Sequence, residues 1–239
     1  MKSTGRDCLG HQPTAGLDRL IDTIPMESDN GIKGTFSVGL GLFDYINPIL
    51  YGITVTTILK HMHGVMPSGL FWLFLCGSVI SLVFGLSIPT VKLIVGLGRM
   101  QFKMPVNLVS YVNTGILLSG IALFCHVLGV STGMLLGILA CAAVIIAFLW
   151  HKTGMFNTAA VLIGAVGYLM LYASLITLSV RADRTILVIL YTVAICLFVF
   201  LCLVGILANL KDAKVHWVIE IANVICQMSV AVTTILLFL

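Results

Sequence analysis

The chain has 239 residues, of which 59% are hydrophobic and only 9% are charged, with a formal net charge of +4 at pH 7. A soluble domain carries about 25% charged residues, so this chain cannot present an ordinary aqueous surface. Its solvent is mostly lipid, and no soluble domain of useful size is left over. The 13 lysines and arginines are scattered singly over short loops, which argues against nucleic-acid binding.

Residues 1–34 form a polar tail without the apolar core of a signal peptide, so the tail is expected to be retained. Within it Leu17, Leu20, Ile21 and Ile24 recur at helical spacing, and Pro25 ends the pattern. The segment is either a short amphipathic helix on the inner membrane face or a weakly ordered tail. Cys8 and His11 make half a zinc site, for which chance pairing is the simpler account.

Residues 35–239 read as an all-α domain, a polytopic integral membrane bundle of about seven transmembrane helices. The expected spans are 37–59, 69–91, 105–128, 130–150, 157–180, 185–210 and 215–239. The first is interrupted by Asp44, Asn47 and Pro48 and is expected to be broken or re-entrant. Residues 104–150 contain no Asp, Glu, Lys or Arg. As one helix they would run ~70 Å across a ~30 Å core. The chain must therefore turn, and Gly129-Val130-Ser131-Thr132-Gly133 is the natural break. In the fourth span Gly133 and Gly137 form Gly-x-x-x-Gly, which predicts close approach of another backbone there.

Polar residues recur on single helix faces. The first span carries Asp44, Asn47, Tyr51 and Thr54; the third carries Asn107, Ser110, Tyr111 and Thr114; the fifth has Asn157, Gly164 and Tyr168. The last carries His216, Glu220, Asn223 and Gln227, spaced four, three and four, with Thr234 extending the stripe. An intramembrane acid costs ~3 kcal/mol or more when it faces hydrocarbon, so Glu220 must face protein, water or a ligand. The odd-numbered spans should surround a polar interior, while the fourth and sixth should face lipid more. Lys92 either snorkels to the interface or neutralises Glu220.

Seven spans place the termini on opposite sides. Ten basic residues fall on the N-terminal side and three on the other, which predicts a cytoplasmic N-terminus and an outward C-terminus in the plasma or cytoplasmic membrane. No His-Glu-x-x-His, Gly-x-Ser-x-Gly or phosphate-loop motif occurs, so no catalytic residues and no enzyme activity are expected. The last span has no lysine, which rules out a retinal Schiff base there. His61, His63, His126, His151 and His216 form two levels that raise a dihaem or metal reading, but His is stable unliganded at interfaces. No cofactor and no metal are therefore expected.

Two functional readings follow. In the first, the protein is a small secondary transporter, or the membrane subunit of one, with a polar cavity open to the cytoplasm. Asp44, Asn47, Tyr51, Asn107, Thr114, His216, Glu220, Asn223 and Gln227 are the candidates for holding a small solute, ion or proton. In the second, the stripe docks a membrane protein partner and the chain is a non-catalytic assembly subunit. Paired acids separate the two, because Asn and Gln alone are common glue between membrane helices.

Overall fold

The computed structural model describes residues 38–97, 107–131, 133–135, 137, 140, 144, 156–207 and 213–239. The amphipathic pattern of residues 17–24 and the Cys8/His11 pair lie outside the described residues.

The elements are α1 (Val38–Phe43), α2 (Ile46–Met62), α3 (Ser68–Gly96), α4 (Asn107–Leu128), α5 (Phe156–Arg181), α6 (Thr185–Leu207) and α7 (Ala213–Phe238), with no strand among the described residues. Six helical segments are long and apolar enough to cross a membrane: Val38–Met62, Ser68–Ile94, Leu108–Leu128, Leu162–Arg181, Thr185–Cys202 and Trp217–Phe238. They match six of the seven expected spans. The protein is an all-α, polytopic integral membrane protein whose environment is a lipid bilayer.

Local chemistry sets the element ends. The first span is broken at Asp44-Tyr45, as its polar residues foretold. Pro48 has no N–H for the Asp44 carbonyl, and Tyr45 N tightens onto Leu42 O at 3.3 Å. α4 stops at Gly129, whose φ of 66° is open to glycine, and Val130 N closes the turn on Cys125 O at 3.2 Å. α5 stops in the same way at Asp183, φ 55°, with Arg184 N bonded to Ser179 O at 3.0 Å. Asp is one of the few side chains that tolerate that conformation.

The helices close a ring: α2 packs on α3, α3 on α4, α4 on α5, α5 on α6, α6 on α7, and α7 back on α2. α4 and α5 run parallel, since Asn113 lies on Gly164 and Leu117 on Gly167. The expected fourth span falls in the stretch between them, where the described residues 133–135, 137, 140 and 144 are helical and the rest lie outside the described residues.

Among the described residues the close helix crossings lie away from the Gly-x-x-x-Gly motif. No described atom lies within 4 Å of a Cβ built at Gly133 or Gly137. The tight crossings use Gly77 against Gly115, where an added Cβ would sit 2.7 Å from the Gly115 carbonyl oxygen, and Gly120 against Gly167. Gly115 and Gly120 are about 140° apart around α4, so one helix offers a notch to each neighbour.

The sixth span faces lipid as expected: α6 presents Ile186, Ile189, Val193 and Phe200 outward, a lipid-facing stripe. α3, the second span, joins the odd spans in turning Ser81, Gly85 and Lys92 into the interior.

Candidate functional site

The inward faces of α2, α3, α4, α5 and α7 enclose a polar cavity of about 210 Å³. Its lining includes Asp44 at the α1–α2 break; Asn47, Pro48 and Tyr51 of α2; Ser81, Gly85, Pro89 and Lys92 of α3; Tyr168 of α5; and Glu220, Asn223 and Gln227 of α7. Spacing explains the convergence. Asp44, Asn47 and Tyr51 are three and four residues apart, and Glu220, Asn223 and Gln227 likewise, so each set lies on one helical face.

The charged groups sit at one end. Glu220 is three residues inside the span that begins at Trp217, and Lys92 is two residues from the end of the α3 span at Ile94. The Lys92 ammonium contacts Asp44 Oδ2 directly and stands 3.8 Å from Glu220 Oε1. Both options read from the sequence for Lys92 thus converge: it lies near an interface and faces both acids. Asn47 Nδ2 donates to Glu220 Oε2 at 3.1 Å. Asp44 is 5% exposed, yet its Oδ1 has no hydrogen-bond partner among the described residues, and the same holds for Asn47 Oδ1.

Deeper in, about 10 Å further along α7 at 1.5 Å per residue, the polar groups are neutral. Gln227 Nε2 donates to the Tyr168 hydroxyl at 3.3 Å, and the Tyr51 hydroxyl pairs with Ser119 Oγ at 3.0 Å. Beyond them buried Val55, Ile58, Phe74, Leu171, Leu175 and Val230 dominate, with the Tyr172 hydroxyl and Ser78 Oγ buried without a hydrogen-bond partner among the described residues. The cavity therefore ends against a mainly apolar plug.

Of the sequence candidates, Asp44, Asn47, Tyr51, Glu220, Asn223 and Gln227 come together on this cavity. Thr114 does not. It is exposed on the outside of α4, and its hydroxyl donates to Ser110 O of its own helix at 2.8 Å. Tyr111, on the same expected stripe, also faces outward and stacks on Phe84 with ring centroids 4.6 Å apart. Thr234 bonds the Tyr191 hydroxyl at 2.9 Å in the core instead of extending the cavity. The side chains of Asn107 and His216 lie outside the described residues. Of the α3 lining, sequence reasoning raised only Lys92 and missed Ser81, Gly85 and Pro89, although the four recur at four, four and three residues on one face.

At the opposite end of the ring His61 stacks on Phe238 at 4.6 Å, and His63 meets the edge of Phe71 at 5.5 Å. No group of three His, Cys, Asp or Glu side chains suited to a metal ion occurs among the described residues.

The chain matches no protein-family model, no curated protein and no solved structure. What its fold and interior define is a class: a multi-pass α-helical membrane protein whose ring of helices holds a polar cavity, charged at one end and plugged at the other.

Proposed function

We propose that the protein is a small secondary transporter, or the membrane subunit of one, in which a solute or ion enters the cavity from the end marked by Lys92. The observation that supports this reading is the cavity itself. Two acids and an ammonium converge at its mouth, neutral hydrogen-bonding groups line its depth, and hydrocarbon closes its far side. A volume of about 210 Å³ holds about seven waters at ~30 Å³ each. That suits an ion or a small polar solute better than a drug-sized ligand. Asp44 and Glu220 are the ion- or proton-responsive groups in this reading, with Asn47, Tyr51, Asn223 and Gln227 orienting the solute. The ten-to-three bias of basic residues turns the mouth to the cytoplasm and the C-terminus outward in the plasma membrane.

The docking reading keeps one observation in its favour: the Asp44–Lys92 and Asn47–Glu220 contacts join helices in the manner of interhelical glue. Yet the stripe is turned inward, with Gln227 only 5% exposed. A membrane protein partner would meet the other side of α7, where Val218, Ile221, Ile225, Met228 and Val232 are exposed.

Cysteine accessibility separates the two. With the native cysteines replaced, Asn223→Cys in sealed vesicles should react with a membrane-impermeant maleimide from the Lys92 side and not from the other. A packed polar seam would leave it unreactive from both, and that result would end the carrier reading.

A further inference from the structure

We propose that the mouth of the cavity binds a small monovalent cation, and that the Lys92 ammonium is a tethered occupant which this cation displaces. The inference rests on the carrier reading and names the ligand class for the same cavity.

Five oxygens, with two lone pairs each, face five N–H groups there, so accepting capacity exceeds donation. Asp44 and Glu220 bring two carboxyl oxygens each and Asn47 an amide oxygen; facing them are the Lys92 ammonium and the Asn47 amide N–H groups. Asp44 Oδ1 and Asn47 Oδ1 are buried without a hydrogen-bond partner among the described residues. A buried polar atom left in that condition is destabilising. What both atoms lack is a donor or a positive charge, so an anion is the wrong ligand.

The backbone points the same way. Pro48 and Pro89 both line the cavity. Each removes the N–H that the carbonyl four residues earlier would have used, which frees the carbonyl oxygens of Asp44 and Gly85. Interruptions of this kind are tolerated inside a membrane protein where they line a cavity.

Charge sets the valence. With every group ionised, two carboxylates against one ammonium leave one surplus negative charge. No third acid, His or Cys joins them among the described residues to build a divalent site. Two ligand chemistries share this description, a bare alkali ion and a primary ammonium, and Lys92 already shows that the second fits.

Displacement follows from reach. A cation seated on Asp44 Oδ1 and Asn47 Oδ1 repels the ammonium that now contacts Asp44 Oδ2. Lys92 lies two residues from the end of its span, so its flexible stem can swing the ammonium to the interface. Its departure would release one of two polar contacts that tie the α1–α2 break to α3, the other being the Tyr45 hydroxyl on Thr90 Oγ1 at 2.7 Å.

The test is thermal unfolding of the full chain in nanodiscs, titrated with sodium, potassium or methylammonium chloride against equimolar choline chloride, whose bulky quaternary cation controls for ionic strength. The wild type should show a saturable rise in unfolding temperature beyond the choline control. Lys92→Ala should half-saturate at about tenfold lower concentration, because the competing charge is gone. Asp44→Asn should lose the response; Asn47→Ala, which removes the other unpartnered oxygen, decides the matter if Asp44→Asn does not fold. An alkali response assigns a bare ion, and a response to methylammonium alone assigns an amine. No response in the wild type, a response unchanged in folded Asp44→Asn or Asn47→Ala, or the same half-saturation in Lys92→Ala would each overturn the proposal. A cation response with Asn223→Cys unreactive from both sides would sink the carrier reading and leave the cation site; one-sided reactivity without a cation response would do the reverse.

Discussion

Gly167 is where the helix packing leaves little room, and substituting it tests the ring directly. A Cβ there would meet Leu117 Cα and N at 2.6 Å and Ile116 C at 2.8 Å. All three are backbone atoms, so no side chain can swing aside. Ordinary carbon contacts lie at ~3.5–4.0 Å, so α5 must retreat from α4 by about 1 Å over this crossing. Overpacking of this kind costs ~1–3 kcal/mol, and more where nothing relaxes. The better helix propensity of alanine returns up to ~1 kcal/mol. Gly167→Ala should therefore destabilise by ~1–2 kcal/mol, a fall in melting temperature of about 2–8 °C for a chain of this size. Gly137→Ala is the matched control, since no described atom lies within 4 Å of its added Cβ; it should be neutral or stabilising by up to ~1 kcal/mol. The displacement also reaches the cavity, because the next residue is Tyr168, whose hydroxyl accepts the Gln227 amide at 3.3 Å. The assay is thermal unfolding by circular dichroism in nanodiscs. If Gly167→Ala melts with or above Gly137→Ala, the α4–α5 crossing is not the tight contact described.

Two further outcomes follow from the charge cluster and the topology. Lys92→Met removes the cation shared by Asp44 and Glu220 and should destabilise by up to ~3–5 kcal/mol, an upper limit because the cluster is partly hydrated. Adding Glu220→Gln removes the surplus charge and should restore ~1–3 kcal/mol of it, measured by denaturant unfolding in mixed micelles. A double variant no more stable than Lys92→Met would show that the 3.8 Å pair is uncoupled. Reporter fusions at Lys152 and at Leu239 should give opposite compartments, and identical compartments would end the seven-span arrangement.

How much was legible depended on whether a residue could satisfy itself. Asp44 and Glu220 carry charge that no backbone carbonyl of their own helix can satisfy, so lipid exclusion foretold that they face inward, and both line the cavity. Thr114 has such a way. Its hydroxyl bonds Ser110 O one turn back, and it then faces outward at little cost. A shared face therefore marked interior position for acids and amides but not for hydroxyls. The glycine motif misled for a different reason. Gly77, Gly115, Gly120 and Gly167 pair across helices, and no spacing within one helix reveals which glycine meets which. Ser81, Gly85 and Pro89 of the α3 lining escaped because their polar content is one hydroxyl and one prolyl carbonyl gap, beside a lysine near an interface. Each looks innocent singly, and they acquire a role only when α2 and α7 bring two acids to Lys92.

The order of groups along the cavity is itself a physical argument for entry from the Lys92 end. An ion or polar solute leaving water loses its hydration in steps. The first step is met by charge, where Asp44, Lys92 and Glu220 stand near the end of the bundle and two buried oxygens await a donor. The second is met by neutral partners, Gln227 with Tyr168 and Tyr51 with Ser119. The third finds mainly Val55, Ile58, Phe74 and Leu175, with the Tyr172 and Ser78 hydroxyls the few polar groups among them. A purely structural network has no need of this gradient, since its polar groups would serve equally well in any order. In the carrier reading, passage to the far side requires that the apolar plug part, and α2 carries both Asn47 and Tyr51 in the cavity and Val55, Ile58 and Met62 in the plug. Tilting α2 about the Asp44-Tyr45 break would move Asn47 and Tyr51 of the cavity together with the plug. Occupancy of the mouth and opening of the plug can in this way be linked by one rigid helix.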